Sequence, residues 1–156
     1  MKRNRKALIF SILIPLGVGI LAGGLSSAGM KSFASMYQPP LSPPAWVFPI
    51  AWTILYTLMG ISSYLIYLSS DENKGKNSAL TTYGYQLIVN FLWPVFFFNF
   101  QWYFFSFLWL VLLWILVAKM ILEFGQISNI AAFMNLPYLL WLSFAGYLNL
   151  GVWLLN

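Results

Sequence analysis

Trp46–Leu68 reads WVFPIAWTILYTLMGISSYLIYL, without one charged residue. A helix crossing ~30 Å of hydrocarbon needs ~20 predominantly apolar residues, so this stretch reads as a membrane span. Four more stretches qualify, from about Ala7 to Ser26, Leu80 to Asn99, Tyr103 to Leu122 and Ile130 to Leu155. Lys119 is the one charge inside them, and it sits where it can snorkel from a helix end. Barrel strands would be shorter and would alternate polar with apolar residues, which these do not. The expected fold is an all-α membrane protein, a bundle of five transmembrane helices forming one domain over residues 1–156.

The rest of the composition agrees. Hydrophobic residues make up 61% of the 156 and charged residues 7%, against ~45–50% and ~25% in an average soluble domain. That excludes a water-soluble globule, a disordered tail and a nucleic-acid module. No Cys and no His occur, which removes disulfides, thiolate sites and the commonest general base and metal ligand. The carboxylate side chains are Asp71, Glu72 and Glu123, expected in loops or at helix ends. No metal site is expected. No buried charge pair or carboxylate ring is in view for an ion or proton path.

Lys2, Arg3, Arg5 and Lys6 ahead of an apolar run resemble a signal peptide. The length of the run, Pro15 within it and the lack of an A-x-A site favour a retained helix. With five crossings, Lys74, Lys76 and Lys119 share the side of that cluster, and Lys31 stands alone opposite. The positive-inside rule then places the N-terminus in the cytoplasm and the C-terminus outside, with a bacterial cytoplasmic membrane as the expected location. The net charge of +5 reads as topology and contact with anionic lipid, with no nucleic-acid partner. Residues about 27–45 form the longest connection. Pro39, Pro40, Pro43 and Pro44 make it stiff, either a spacer or a lid over a cavity on the external face. Ser69–Ser78 reads as a solvated turn.

Polar and small residues recur at helical spacing within the spans. The stripes are Phe48, Trp52, Tyr56 and Ser63; Gln86, Asn90, Trp93–Pro94 and Phe97; Pro137, Trp141, Ala145 and Asn149; and Pro15, Gly19, Gly23 and Ser26. Lipid-facing surfaces need none of these, so these faces are expected to point inward. Close packing and carboxamide bonds across helices account for such residues without any ligand. Gly19-xxx-Gly23 has the spacing of a dimer seam. Trp46, Trp102 and Trp153, near helix ends, belong to an interfacial belt. Trp52, Trp93 and Trp141 lie deeper, in the core or against a ligand.

Three blocks of residues resemble the tryptophan-rich sensory protein family (TspO), related to the mitochondrial translocator protein. They are Pro43-Pro44-Ala45-Trp46-Val47-Phe48 with Trp52, Leu55-Tyr56 and Met59-Gly60; Gln86, Asn90, Trp93-Pro94 and Phe97-Phe98; and Pro137-Tyr138, Trp141, Phe144-Ala145 and Leu148-Asn149. The resemblance covers nearly the whole chain. It implies a five-helix bundle with a pocket on the side of the first long loop. It also implies binding of porphyrins such as protoporphyrin IX, haem or hydrophobic drugs, and a homodimer. The family's pocket residues fall on Trp52, Asn90, Trp141, Ala145 and Leu148, with Phe48, Phe97 and Phe98 as walls. Its proposed roles include tetrapyrrole or sterol transport, stress sensing and light-dependent porphyrin breakdown.

The chain departs from the family in places. Leu41 stands where a Trp is usual before the second proline pair, and Pro40 where a Ser is usual. The family's Trp-Tyr pair of the first loop is replaced by Ser32-Phe33, and its acidic residue in the fourth span aligns near Trp109. The last helix lacks the Tyr and basic residue of a proposed cholesterol motif, which weighs against sterol.

Trp and Phe walls suit a flat aromatic ligand. Without His or Cys, haem iron would need Met or Tyr, so metal-free porphyrin is the better ligand, and no cofactor is required. The leading reading is a receptor or carrier for tetrapyrrole-like ligands. An enzyme that photo-oxidises porphyrin through Trp52 and Trp141 is the second. A lipid- or partner-binding structural protein is the third.

Overall fold

The computed structural model describes residues 4–69 and 75–156. Lys2, Arg3, Asp71, Glu72 and Lys74 lie outside the described residues. The described chain is helical, with α1 at Arg5–Phe33, α2 at Val47–Leu68, α3 at Lys76–Pro94, α4 at Tyr103–Gly125, α5 at Asn129–Phe133 and α6 at Leu136–Leu155. A π-helical turn, Val95–Asn99, extends α3. Four stretches are long and apolar enough to cross a membrane, namely α1, α2, α4 and Asn129–Leu155. Helix α3 carries Thr82, Gln86 and Asn90 buried among its neighbours and is the most polar of the long helices.

The element ends follow from backbone chemistry. Helix α1 begins where the Asn4 side chain accepts from Ala7 N–H at 3.2 Å. It runs to Phe33, beyond the expected end near Ser26, because no helix breaker occurs before the prolines. The first connection is therefore shorter than expected, covering residues 34–46. The expected last span divides near Asn135, since Pro137 has no N–H to donate and its ring crowds the carbonyl of Phe133. Pro94 removes a donor from α3 in the same way. The chain widens there, so that Phe100 N–H reaches the Val95 carbonyl at 3.1 Å.

Contacts between helices fix their directions. Gly60 of α2 lies against Ile12 of α1, and Tyr56 against Gly19, so α1 and α2 are antiparallel. Trp109 Nε1 donates to the Val89 carbonyl and Ser78 Oγ to Glu123 Oε1, so α3 and α4 are antiparallel too. Trp114 bonds Ser143 and Phe104 packs on Trp153, which reverses α6 relative to α4. Helix α1 runs alongside α3, with Gly29 against the Phe98 backbone and Asn99 Nδ2 donating to the Leu25 carbonyl. The five long helices thus alternate in direction. Arg5, Lys6, Lys76 and Lys119 gather toward one end, and Lys31 lies toward the other.

Two glycines let α1 sit close to α2. Pro15 supplies no N–H to the Ser11 carbonyl, and Gly60 packs against that carbonyl, where a Cβ would come within 2.6 Å of it. Gly19 makes room for the Tyr56 ring, so it serves packing within the chain. Among the described residues, nothing packs within 4 Å of where a side chain at Gly23 would begin.

Candidate ligand site

The inward stripe of α2 meets that of α6. The Phe48 and Trp141 rings stand 5.9 Å apart between centroids, edge to face. Trp52 lies 6.4 Å from Trp141 and 6.1 Å from Tyr138, again edge to face, and stacks on Tyr56 at 5.3 Å. Such arrangements set the positive edge of one ring against the negative face of another. The Trp141 Nε1–H is buried and has no acceptor among the described residues. A buried indole N–H left unpaired carries a desolvation cost that an incoming acceptor would relieve.

A chain of polar groups lies beside this cluster. Tyr56 OH donates to Asn90 Oδ1 at 2.6 Å, and Asn90 Nδ2 donates to Tyr138 OH at 2.7 Å. Tyr138 OH donates to Gln86 Oε1 at 2.8 Å, and Gln86 Nε2 approaches Met59 Sδ at 3.7 Å. All five residues are buried. Carboxamides there are costly unless paired, and this chain pairs them. It ties α2, α3 and α6 together at one level.

Phe97 and Phe98 belong to a second cluster, at the π-helical turn. Trp93 stacks on Phe97 at 5.0 Å, and Phe33 of α1 sits 5.4 Å from both Phe97 and Phe98. Tyr103 closes on Phe97 at 5.1 Å. Here the indole is satisfied, for Trp93 Nε1 donates to Asn149 Oδ1 at 3.1 Å. Asn149 Nδ2 in turn donates to the Tyr103 carbonyl at 2.8 Å.

The expected site residues thus divide. Phe48, Trp52 and Trp141 come together, with Asn90 linked to them through Tyr56 and Tyr138. Ala145 packs, partly buried, against the core. Leu148 is partly buried on α6. Phe97 and Phe98 stand in the other cluster. Tyr138 and Met59 joined no expected site, although Tyr138 lies three residues before Trp141, on the same face of a helix. Pro137 of the expected α6 stripe is exposed.

The first connection is strapped to α6 and α4. Asn156 Nδ2 donates to the Tyr37 carbonyl at 2.8 Å, and Tyr147 OH to the Pro40 carbonyl at 2.7 Å. Pro39 packs on Gly151, where a Cβ would come within 2.6 Å of the proline ring. Tyr103 OH reaches Met36 Sδ at 2.9 Å. Of the carboxylates, Glu123 lies at the end of α4, where it accepts from Ser78 and lies 4.0 Å from Lys119. It is far along the helix from the clusters.

Long apolar helices around an interior of aromatic rings and paired carboxamides define an integral membrane protein of the all-helical class. The TspO/MBR family model matches residues 11–154, and the chain belongs to that family. It is 31% identical over 153 residues to the tryptophan-rich protein TspO of Chlorobaculum tepidum, covering 95% of this chain and 97% of the relative. It is 34% identical over 154 residues to the protein of that name in Archaeoglobus fulgidus, covering 98% and 99%. The translocator protein of Bos taurus is 34% identical over 145 residues, covering 92% and 86%.

Proposed function

We propose that this chain is a membrane receptor or carrier that takes a flat hydrophobic ligand of the tetrapyrrole class between α2, α3 and α6. The observation that carries the reading is the Phe48–Trp52–Trp141 cluster, with its unpaired Trp141 Nε1–H, beside the Tyr56–Asn90–Tyr138–Gln86 chain. The rings touch one another, so a ligand enters by parting them and replacing ring–ring contact with ring–ligand contact. Burial of its apolar faces contributes ~25 cal/mol per Å². The Trp141 N–H gives orientation by donating to a ring nitrogen or carbonyl of the ligand. Carboxylates on the ligand rim stay toward the strap, at the end of the bundle that holds Lys31. The donor set is indole, phenol and carboxamide, which suits a metal-free ring better than an iron needing axial imidazole or thiolate.

The chain crosses the membrane five times in this reading, α3 included. Helix α3 tolerates its polar residues because α1, α2 and α4 surround them. The alternating directions and the basic residues at one end support a reading with the N-terminus on the cytoplasmic side of a bacterial membrane.

The test is a titration of the purified protein in lipid nanodiscs with protoporphyrin IX, following tryptophan fluorescence in the dark. Saturable quenching at micromolar ligand is expected. Linear, unsaturable quenching would overturn the reading in favour of a structural protein. Loss of porphyrin absorbance under light, scaling with protein, would move the assignment to a photo-oxidising enzyme.

A further inference from the structure

The two most exposed large apolar side chains among the described residues are Leu41, at 84%, and Tyr37, at 78%. Neither is on a lipid-facing helix; both are on the strap between α1 and α2. Leu41 also has a φ of +67°. Ser42 N–H donates to the Pro39 carbonyl at 3.3 Å, which gives Pro39–Ser42 the form of a type II turn. Pro40 takes the second position, where proline is favoured, and Leu41 the third, where glycine is the ordinary residue. A leucine there crowds its Cβ against the backbone.

Flexibility does not account for the exposure. Ser42 Oγ donates to the Pro39 carbonyl at 2.7 Å, Tyr147 OH holds the Pro40 carbonyl, and Pro39 is buried against Gly151. The turn is pinned on both sides of Leu41. A strained, pinned turn that displays leucine gains nothing from contacts inside the chain, so what repays it lies outside.

We propose that the Pro39–Ser42 turn is a lipid anchor, with Leu41 inserted at the headgroup–acyl boundary of the leaflet at the C-terminal end of α6. The turn rests on α6 at Tyr147 and Gly151, within the last few turns of a helix whose exposed residues there are Tyr147, Trp153, Leu154 and Leu155. The apolar display of the strap therefore lies at the same end of the bundle as the exposed apolar residues of α6. Tyr37 and Trp46, both exposed, flank the turn in sequence and are residues favoured at that depth. A single leucine between two aromatic residues is far too small for a stable contact between copies, which needs ~800 Å² from each partner. The inference requires the membrane but not the tetrapyrrole ligand.

The sequence has no cysteine, so single labels are specific. Nitroxides would be attached to Leu41→Cys, to Gln38→Cys on the same strap, and to Leu154→Cys as a lipid-facing reference on α6. Each labelled protein would be placed in nanodiscs at one copy per disc, and spin relaxation by oxygen compared with relaxation by a water-soluble nickel chelate. The expected result is an oxygen-to-nickel ratio at position 41 several-fold above that at 38 and close to that at 154. Equal nickel access at 41 and 38 would overturn the proposal in favour of a turn in water. Shielding from both reagents at one copy per disc would make the turn a lid folded onto protein. Shielding that develops only at two copies per disc would make it a contact between copies.

Discussion

The two aromatic clusters are built from the same residue types and differ in what their indoles do. At the π-helical turn, Trp93 stacks on Phe97 and spends its N–H on Asn149, whose own amide is spent on Tyr103. Between α2 and α6, Trp141 meets Phe48 and Trp52 edge to face and keeps a buried N–H without an acceptor among the described residues. The first cluster is closed, with its polar groups satisfied by the chain. The second is satisfied on its polar side, through Asn90, and unsatisfied on its aromatic side. Tryptophan content alone does not separate a wall from a strut; on the proposed reading the state of the Trp93 and Trp141 indole N–H groups does.

Substitutions can break that distinction. The largest effect is expected from Gly60→Leu, which drives a side chain into the Ser11 carbonyl and Ile12 backbone and pushes α1 off α2. Both clusters should be lost together, seen as the absence of a monodisperse peak on size exclusion in detergent. Asn90→Ala comes next. It leaves Tyr56 OH without its acceptor and Tyr138 OH without its donor, a loss of about 2–3 kcal/mol in thermal or denaturant unfolding.

A matched pair sharpens the contrast. Trp141→Phe keeps an aromatic ring and removes an N–H that has no partner among the described residues. Protoporphyrin affinity should fall about tenfold, equivalent to ~1.4 kcal/mol, with unfolding unchanged or slightly improved. Trp93→Phe should do the reverse. Asn149 Oδ1 loses its donor, stability falls by about 0.5–1.5 kcal/mol, and affinity stays within about twofold. Equal losses of affinity in the two variants would remove the distinction between the clusters.

Four of the five expected spans were legible because hydrocarbon thickness sets a length that composition can be scanned for, and Trp46–Leu68 met it without a charge; the fifth, Leu80–Asn99, forms a helix too polar to qualify on that measure alone. The ends were less so. Nothing in residues 27–33 stops a helix, yet the prolines from Pro39 onward draw the eye to an earlier boundary. Pro137 was in plain view, but a proline inside an apolar run reads equally as a kink or a break, and the neighbours decide. The inward faces of α2 and α3 followed from spacing, since Trp52, Tyr56, Gln86 and Asn90 recur with the helical period. The order Tyr56–Asn90–Tyr138–Gln86 did not, because it depends on how three helices are set in depth. The split of Phe97 and Phe98 from Trp52 and Trp141 was hidden for the same reason. A widened turn after Pro94 aims those two rings at Phe33 of α1, and no linear spacing encodes that.

The most direct test of the α2–α6 assignment is fluorine NMR on protein labelled with 5-fluorotryptophan, with resonances assigned by Trp52→Phe, Trp93→Phe and Trp141→Phe. On addition of protoporphyrin IX in nanodiscs, the Trp52 and Trp141 resonances should shift or broaden while Trp93 stays in place. A shift at Trp93 with Trp52 and Trp141 unmoved would put the ligand at the π-helical turn and contradict the account.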